Sequence, residues 1–179
     1  MTDDRTGEQD ADGISSLRDL AARLAERCNA LGLHVATVES CTGGLVGHAI
    51  TEIPGSSAYY VGGFVTYSDE LKFLAVAVPH DVLSAHGAVS AQVAMAMATG
   101  GRQRTGADLA VAVTGIAGPD GGTPAKPVGT VFIGAAAPGS GGPRITVRRY
   151  RFPGGREAVK WQSSQAALDL LRRVLLSRA

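Results

Sequence analysis

Apolar residues recur along the chain at two periods, and the switches between them mark out the elements. Ile14, Leu17, Leu20, Ala21, Leu24, Cys28 and Leu31 fall at helical spacing. They predict an opening amphipathic helix with Ser16 as its cap, Asp19 three residues on, and Gly32 as its stop. Leu33 to Val38 is a short apolar run that reads as a buried strand, and the amphipathic stretch Leu45 to Ile53 reads as a helix stopped by Pro54-Gly55. After a polar and aromatic connector over residues 55–60, Gly62 to Tyr67 reads as a second strand. Asp69 and Glu70 suit the first turn of a short helix, because they face its positive end. Pro79 to Ala85 reads as a helical turn closed by His86-Gly87, and Ser90 as the cap of a helix from Ala91 to Thr105.

That last helix is rich in Ala, Met and Gly, which suits close packing on a sheet or on a second subunit. Gly100-Gly101 is expected to weaken it by roughly 1 kcal/mol per glycine relative to alanine. Leu109 to Val113 is wholly apolar and reads as a central strand. The connection over residues 114–127 reads as structureless and is long for a compact domain, a length that is usually functional or disordered. Val128 to Ala136 reads as a strand, Gly139 to Pro143 as a hairpin turn, and Ile145 to Phe152 as an edge strand alternating apolar and basic residues. The chain closes with a helix from Arg156 to about Leu176, apolar on the face of Val159, Ala166, Leu170, Leu171 and Val174.

Composition changes this picture in a few places. Residues 1–13 carry no apolar period and read as a disordered leader, leaving residues 14–179 as one domain. A formal net charge of +1 gives no footprint for nucleic acid. No apolar run approaches the roughly 20 residues of a membrane span, and no signal-peptide pattern opens the chain. Two cysteines are too few for a disulfide framework, which points to a reducing, cytoplasmic setting. Glycine, at 24 of 179 residues, exceeds the ordinary share, so glycine loops are expected to matter.

Chemistry concentrates where the first strand meets the second helix, at Thr37-Val38-Glu39-Ser40-Cys41-Thr42-Gly43-Gly44-Leu45. A helix starting there points its free N–H groups into the turn, a setting for an anion or a developing oxyanion. The plainer account is that Ser40 or Thr42 is an N-cap. His34, His48, His80 and His86 are scattered, so a Ser-His-Asp triad is hard to assemble, and the spacing of His and Cys matches no metal site. Gly115 to Gly122 fits neither dinucleotide nor Walker-type loops, although its N–H groups suit a single phosphate. There remains a Ser-Lys arrangement. In it Lys72 takes the proton of Ser40, Tyr67 relays it or fixes the lysine, and the N–H groups of Thr42 and Gly43 hold the oxyanion. Lys72 as a solvated surface lysine is the plain alternative, and Cys41 keeps a thiol mechanism open.

Four motifs in order carry a resemblance: ESCTGG (Glu39 to Gly44), PGSSAYYVGGFVTYSDELK (Pro54 to Lys72), HGAVS (His86 to Ser90) and AVTGIAGPDGGTPAKPVGTV (Ala112 to Val131). In these the chain resembles the C-terminal domain family of the competence- and damage-inducible protein CinA, including its stand-alone nicotinamide-nucleotide amidohydrolases, from about Leu17 to Leu175. The resemblance implies an α/β fold, a three-layer α/β/α sandwich around a mixed, mostly parallel sheet. It implies deamidation of nicotinamide mononucleotide (NMN) to nicotinic acid mononucleotide and ammonia, a step of pyridine nucleotide salvage, with no metal and no cofactor. Ser40 would be the nucleophile, Lys72 the base and Tyr67 its assistant. Thr42, Gly43 and Gly44, with Thr114, Gly115 and Gly118, would border the substrate, and Arg156 would face its phosphate. No counterpart of the N-terminal domain of longer CinA proteins is seen, so the free-standing form is expected, as a homo-oligomer.

Two positions depart from the family pattern. Asp69 stands where Asn is commoner, which puts a negative charge near Lys72 and, if the side chains met, would work against a lysine base. Gly155 stands where Asp is expected, removing an acidic neighbour for Arg156. Two rivals follow: a Ser-Lys amidase for another small amide, and a non-catalytic nucleotide-binding or partner module of the same fold.

Overall fold

The computed structural model describes residues 13–139 and 142–176. Its elements are α1 (Gly13–Leu31), β1 (Val35–Glu39), α2 (Leu45–Thr51), β2 (Tyr60–Val65), α3 (Asp69–Val76), α4 (His80–His86), α5 (Ala91–Thr105), β3 (Leu109–Gly115), β4 (Thr130–Ala137), β5 (Arg144–Arg151) and α6 (Arg156–Leu176). The strands form one sheet in the order β2-β1-β3-β4-β5. β1 pairs in parallel with β2 and β3, whereas β4 runs antiparallel to both β3 and β5. Four strands therefore share one direction and only β4 is reversed.

The layers follow from the side-chain period of two in the strands. Val35, Val111, Val113, Val131, Ile133 and Ala135 pack with α1, α2 and α6 on one face. Val38, Ala112 and Ala136 pack with Met97, Val93 and Val76 of α5 and α3 on the other. The result is a three-layer α/β/α sandwich. β1 and β3 are buried along their lengths, except for half-buried Gly115 at the end of β3, while β2 alternates exposed and half-buried positions as an edge strand.

The local signals act as expected at most element ends. Gly32 (φ 61°) stops α1, with Leu33 N–H returning to the Cys28 carbonyl. Ser90 caps α5 by accepting from Val93 N–H. The leader expected over residues 1–13 lies outside the described residues, apart from Gly13, which already belongs to α1. Ser16 is accordingly inside that helix and not at its cap.

Strand limits move by one to two residues. Leu33 is drawn into the helix-ending turn, so β1 begins at Val35. β2 begins at Tyr60, whose hydroxyl is 2.8 Å from Thr37 Oγ1, and Tyr67 leaves the sheet. Gly100 and Gly101 of α5 are required by close approach. A Cβ at Gly100 would run into the Val76 carbonyl, and one at Gly101 into the Val38 side chain. The expected gain from alanine is therefore reversed at these two sites. Among the described residues, no helix is long and apolar enough to cross a membrane.

Candidate active site

β1 leads on to β2 on one side, while β3 lies on its other side. In such sheets the crevice outside the carboxyl ends of the diverging strands is left uncovered and receives ligands. Three stretches converge there: Ser40-Cys41 after β1, residues 66–69 after β2, and Thr114-Gly115 at the end of β3. They form a cleft of about 190 Å³ bordered also by Lys72, Ala88, Ala117 and Arg156. Ser40 N–H donates to the Val113 carbonyl at 3.0 Å, and Thr66 N–H to the Glu39 carbonyl at 2.7 Å. Backbone bonds between the three strand ends thus fix the floor.

The Ser40 turn is held by Glu39. This carboxylate, 2% exposed, accepts from Gly44 N–H at 2.9 Å, Val46 N–H at 3.1 Å and Gly47 N–H at 2.8 Å. It answers the positive end of α2, and the pairing with N–H groups is what makes a buried carboxylate tolerable. Gly44 (φ 100°) and Gly43 (φ 65°) adopt the left-handed conformation that the turn needs.

This arrangement corrects the expected oxyanion donors. Gly44 N–H is engaged by Glu39, and Gly43 N–H donates to the Ser40 carbonyl at 3.1 Å. Thr42 is fully buried, its hydroxyl has no partner, and it does not border the cleft. Its backbone N–H has no hydrogen-bond partner among the described residues.

Lys72 is 1% exposed, so the surface-lysine account fails. Ser68 caps α3 by accepting from Leu71 N–H at 3.1 Å, which starts the helix where Lys72 turns inward. Its Nζ lies 3.3 Å from Asp69 Oδ1, so the two side chains do meet. Cys41 also borders the cleft, but burial pushes its thiol up to about 12, which keeps it protonated and a poor nucleophile.

Arg156 donates to the Gly118 carbonyl and to the Tyr67 hydroxyl, each at 2.9 Å. Its orientation comes from these two partners and not from an acidic residue at position 155. Thr114 Oγ1 donates to the Ala88 carbonyl at 2.8 Å, and Lys126 Nζ to the His86 carbonyl at 2.9 Å. The 114–127 connection is therefore built in, not structureless.

Ser40, Lys72, Tyr67, Thr114, Gly115 and Arg156 come together, with Cys41 and Asp69 beside them. Thr42, Gly43, Gly44 and Gly118 support the cleft without bordering it. Glu39 is the supporting residue whose role the sequence reading left unassigned. A carboxylate shortly before a glycine pair and a helix start was its only signal.

The fold and site define a class: an α/β/α domain with a buried serine-and-lysine crevice at the carboxyl ends of its parallel strands. The chain matches the CinA C-terminal domain family over residues 17–175, and it belongs to that family. A CinA-like protein of Citrifermentans bemidjiense is 51% identical over 156 residues, covering 87% of this chain and 37% of that protein. The chain thus spans about a third of the length of the curated relatives it matches. Among solved structures, competence/damage inducible protein CihA from Agrobacterium tumefaciens has a TM-score of 0.85 at 42% identity, covering 90% of this chain and 96% of that one. A CinA superfamily protein from Escherichia coli has a TM-score of 0.81 at 33% identity, covering 98% and 99%.

Proposed function

We propose that this chain is an amidohydrolase that deamidates nicotinamide mononucleotide by a serine-lysine mechanism. The observation that carries the reading is the burial of Lys72 on the same cleft as Ser40, at the ends of adjacent strands. Lysine is almost never fully buried unless it is paired, and here the buried side chain carries its amine to the serine cleft. In this mechanism Lys72, as the free amine, takes the proton of Ser40, whose Oγ attacks the carboxamide carbon. Collapse expels the nitrogen, which receives the proton back from Lys72 and leaves as ammonia. Water then gives a proton to Lys72 and attacks the acyl carbon, the Ser40 ester bond breaks with Ser40 Oγ taking that proton back from Lys72, and the carboxylic acid is released. The solvent-facing Asp69 carboxylate, 3.3 Å from Nζ, is placed to steady the ammonium that forms on Lys72. Tyr67, held by Arg156, forms the rim.

The same ion pair also favours a second reading. A lysine paired with Asp69 and not with Ser40 suits a module that binds the nucleotide without turning it over. Ammonia release from purified protein separates the two, with NMN tested beside nicotinamide and nicotinamide riboside. Turnover of NMN is the expected result. A shift in melting temperature with NMN but no ammonia would establish the binding module, and neither response would remove NMN as the ligand.

A further inference from the structure

A second cleft, of about 510 Å³, lies between α2 and the first turns of α6 and is bordered by Leu45, Arg156, Glu157, Lys160 and Trp161. It shares Arg156 with the Ser40 cleft. Lys160 stands one helical turn after Arg156, on the same side of α6. Its Nζ lies 3.7 Å from where a Cβ on Gly43 would be, so it sits against the turn that carries Ser40. Both Arg156 and Lys160 act electrostatically on Cys41, the residue after Ser40. The two clefts therefore meet over this turn.

The two cations differ in their commitments. Arg156 is tied to the Gly118 carbonyl and the Tyr67 hydroxyl. The Lys160 ammonium has no hydrogen bond or ion pair among the described residues, although the side chain is half-buried. An unpaired ammonium over a half-apolar cleft, beside a second cation, fits a phosphate attached to an organic group. Trp161 and Leu45 offer the apolar surface, and the Glu157 carboxylate is an acceptor for sugar hydroxyls.

We infer that this second cleft is the phosphate-ribose subsite of the active site, and that Lys160 is its phosphate anchor. The inference rests on the NMN reading above. It divides the work: the Ser40 cleft takes the carboxamide, the α2–α6 cleft takes the phosphorylated sugar, and Arg156 braces the wall between them. Arg156, expected from the sequence to face the phosphate, becomes the secondary contact.

The test compares wild type, Lys160→Gln and Lys160→Arg with NMN and with nicotinamide riboside, which lacks the phosphate. Lys160→Gln is expected to raise KM for NMN by roughly 10- to 100-fold with kcat nearly unchanged, the loss of one charge-assisted contact. Lys160→Arg should recover most of it, and whatever the riboside does should be indifferent to either change. An unchanged KM for NMN in Lys160→Gln, with wild type active, would overturn the subsite and leave the hydrolase reading standing. If wild type releases no ammonia, titration calorimetry with NMN decides. Binding that Lys160→Gln weakens at least roughly 10-fold would sustain the subsite while the hydrolysis reading falls. Binding indifferent to Lys160, or no binding, would remove the subsite.

Discussion

The turn after β1 and the loop after β3 face each other across one cleft, but their side-chain braces differ in reach. The Ser40 turn is held from within: a carboxylate one residue before the serine gathers the N–H groups of Gly44, Val46 and Gly47. The loop after β3 has turn bonds of its own, such as those between Thr123 and Lys126, but it is tied to the rest of the fold from outside, by side chains and carbonyls distant in sequence. Thr114 reaches Ala88, 26 residues away, Lys126 reaches His86, 40 away, and Arg156 reaches Gly118, 38 away. In the proposed mechanism the nucleophile has to be fixed against its own strand and helix, and a local brace does that whatever the rest of the cleft does. A wall that receives the substrate can depend on the whole fold. The chemistry should then be sensitive to changes on the first side, and substrate placement to changes on the second.

The largest effect expected is at the proposed nucleophile. Ser40→Ala should lower kcat by at least roughly 1,000-fold, because removing a nucleophile discards the covalent route and leaves only binding and the oxyanion contacts. NMN binding, measured by calorimetry, should persist. Substantial residual turnover would move the reaction to another group.

Glu39→Ala removes the local brace. Three N–H groups at the start of α2 lose their acceptor in a buried site, so a loss of about 3 kcal/mol in denaturant-measured stability is expected. The outside-held loop offers no compensating contact. If stability were unchanged, the claim that this turn is held from within would be wrong.

Arg156→Met severs two outside contacts at once, at Gly118 and Tyr67. Misplacement of a cleft wall by an ångström costs on the order of 100-fold in rate, so kcat/KM for NMN should fall roughly 10- to 100-fold. Because Arg156 is exposed, stability should move by less than about 1 kcal/mol. Tyr67→Phe should reproduce part of the loss. A large drop in melting temperature would mean that the arginine holds the fold and not the wall.

Thr114→Val tests a single outside contact with little change in shape. Losing its bond to the Ala88 carbonyl should cost about 1 kcal/mol and lower kcat/KM only several-fold. Together with Glu39→Ala it measures how much more the local brace contributes than one long-range strut.

This division also explains what could be read from the sequence. Ser40, Lys72 and the Ser90 cap were legible because each stands in a local pattern, a strand end or helix start that its neighbours define. The sandwich and the central place of β3 were legible for a similar reason, since Leu109 to Val113 is apolar throughout. The pairing of Arg156 with Tyr67, 89 residues apart, has no local signature. Nor does the requirement for Gly100 under the Val76 carbonyl. From composition it reads as a weak point in a helix, and only the packed sheet shows that a side chain has no room there. Gly43 and Gly44 were legible as turn residues but not as donors already engaged, because hydrogen-bond occupancy depends on where Glu39 points.

The smallest effect expected is at Cys41, and it separates position from reactivity within the inside-held turn. The thiol borders the cleft beside Ser40, but burial raises it to about 12, and Cys28 in the core to about 11, from an ordinary value of 9.0. Cys41→Ala should therefore leave kcat within roughly 3-fold, since a protonated thiol contributes no nucleophile at neutral pH. The raised values have a consequence for stability with a definite sign. A thiol that ionises later in the folded state binds its proton more tightly there, so its contribution is present in full below pH 9 and is lost as pH rises toward 11 to 12. Melting temperature should fall over that alkaline window, and Cys28→Ala with Cys41→Ala should flatten the fall. A decline as steep in the double variant would assign it to the buried tyrosines. Loss of turnover in Cys41→Ala would make the thiol, and not Ser40, the group that the Glu39 brace exists to hold.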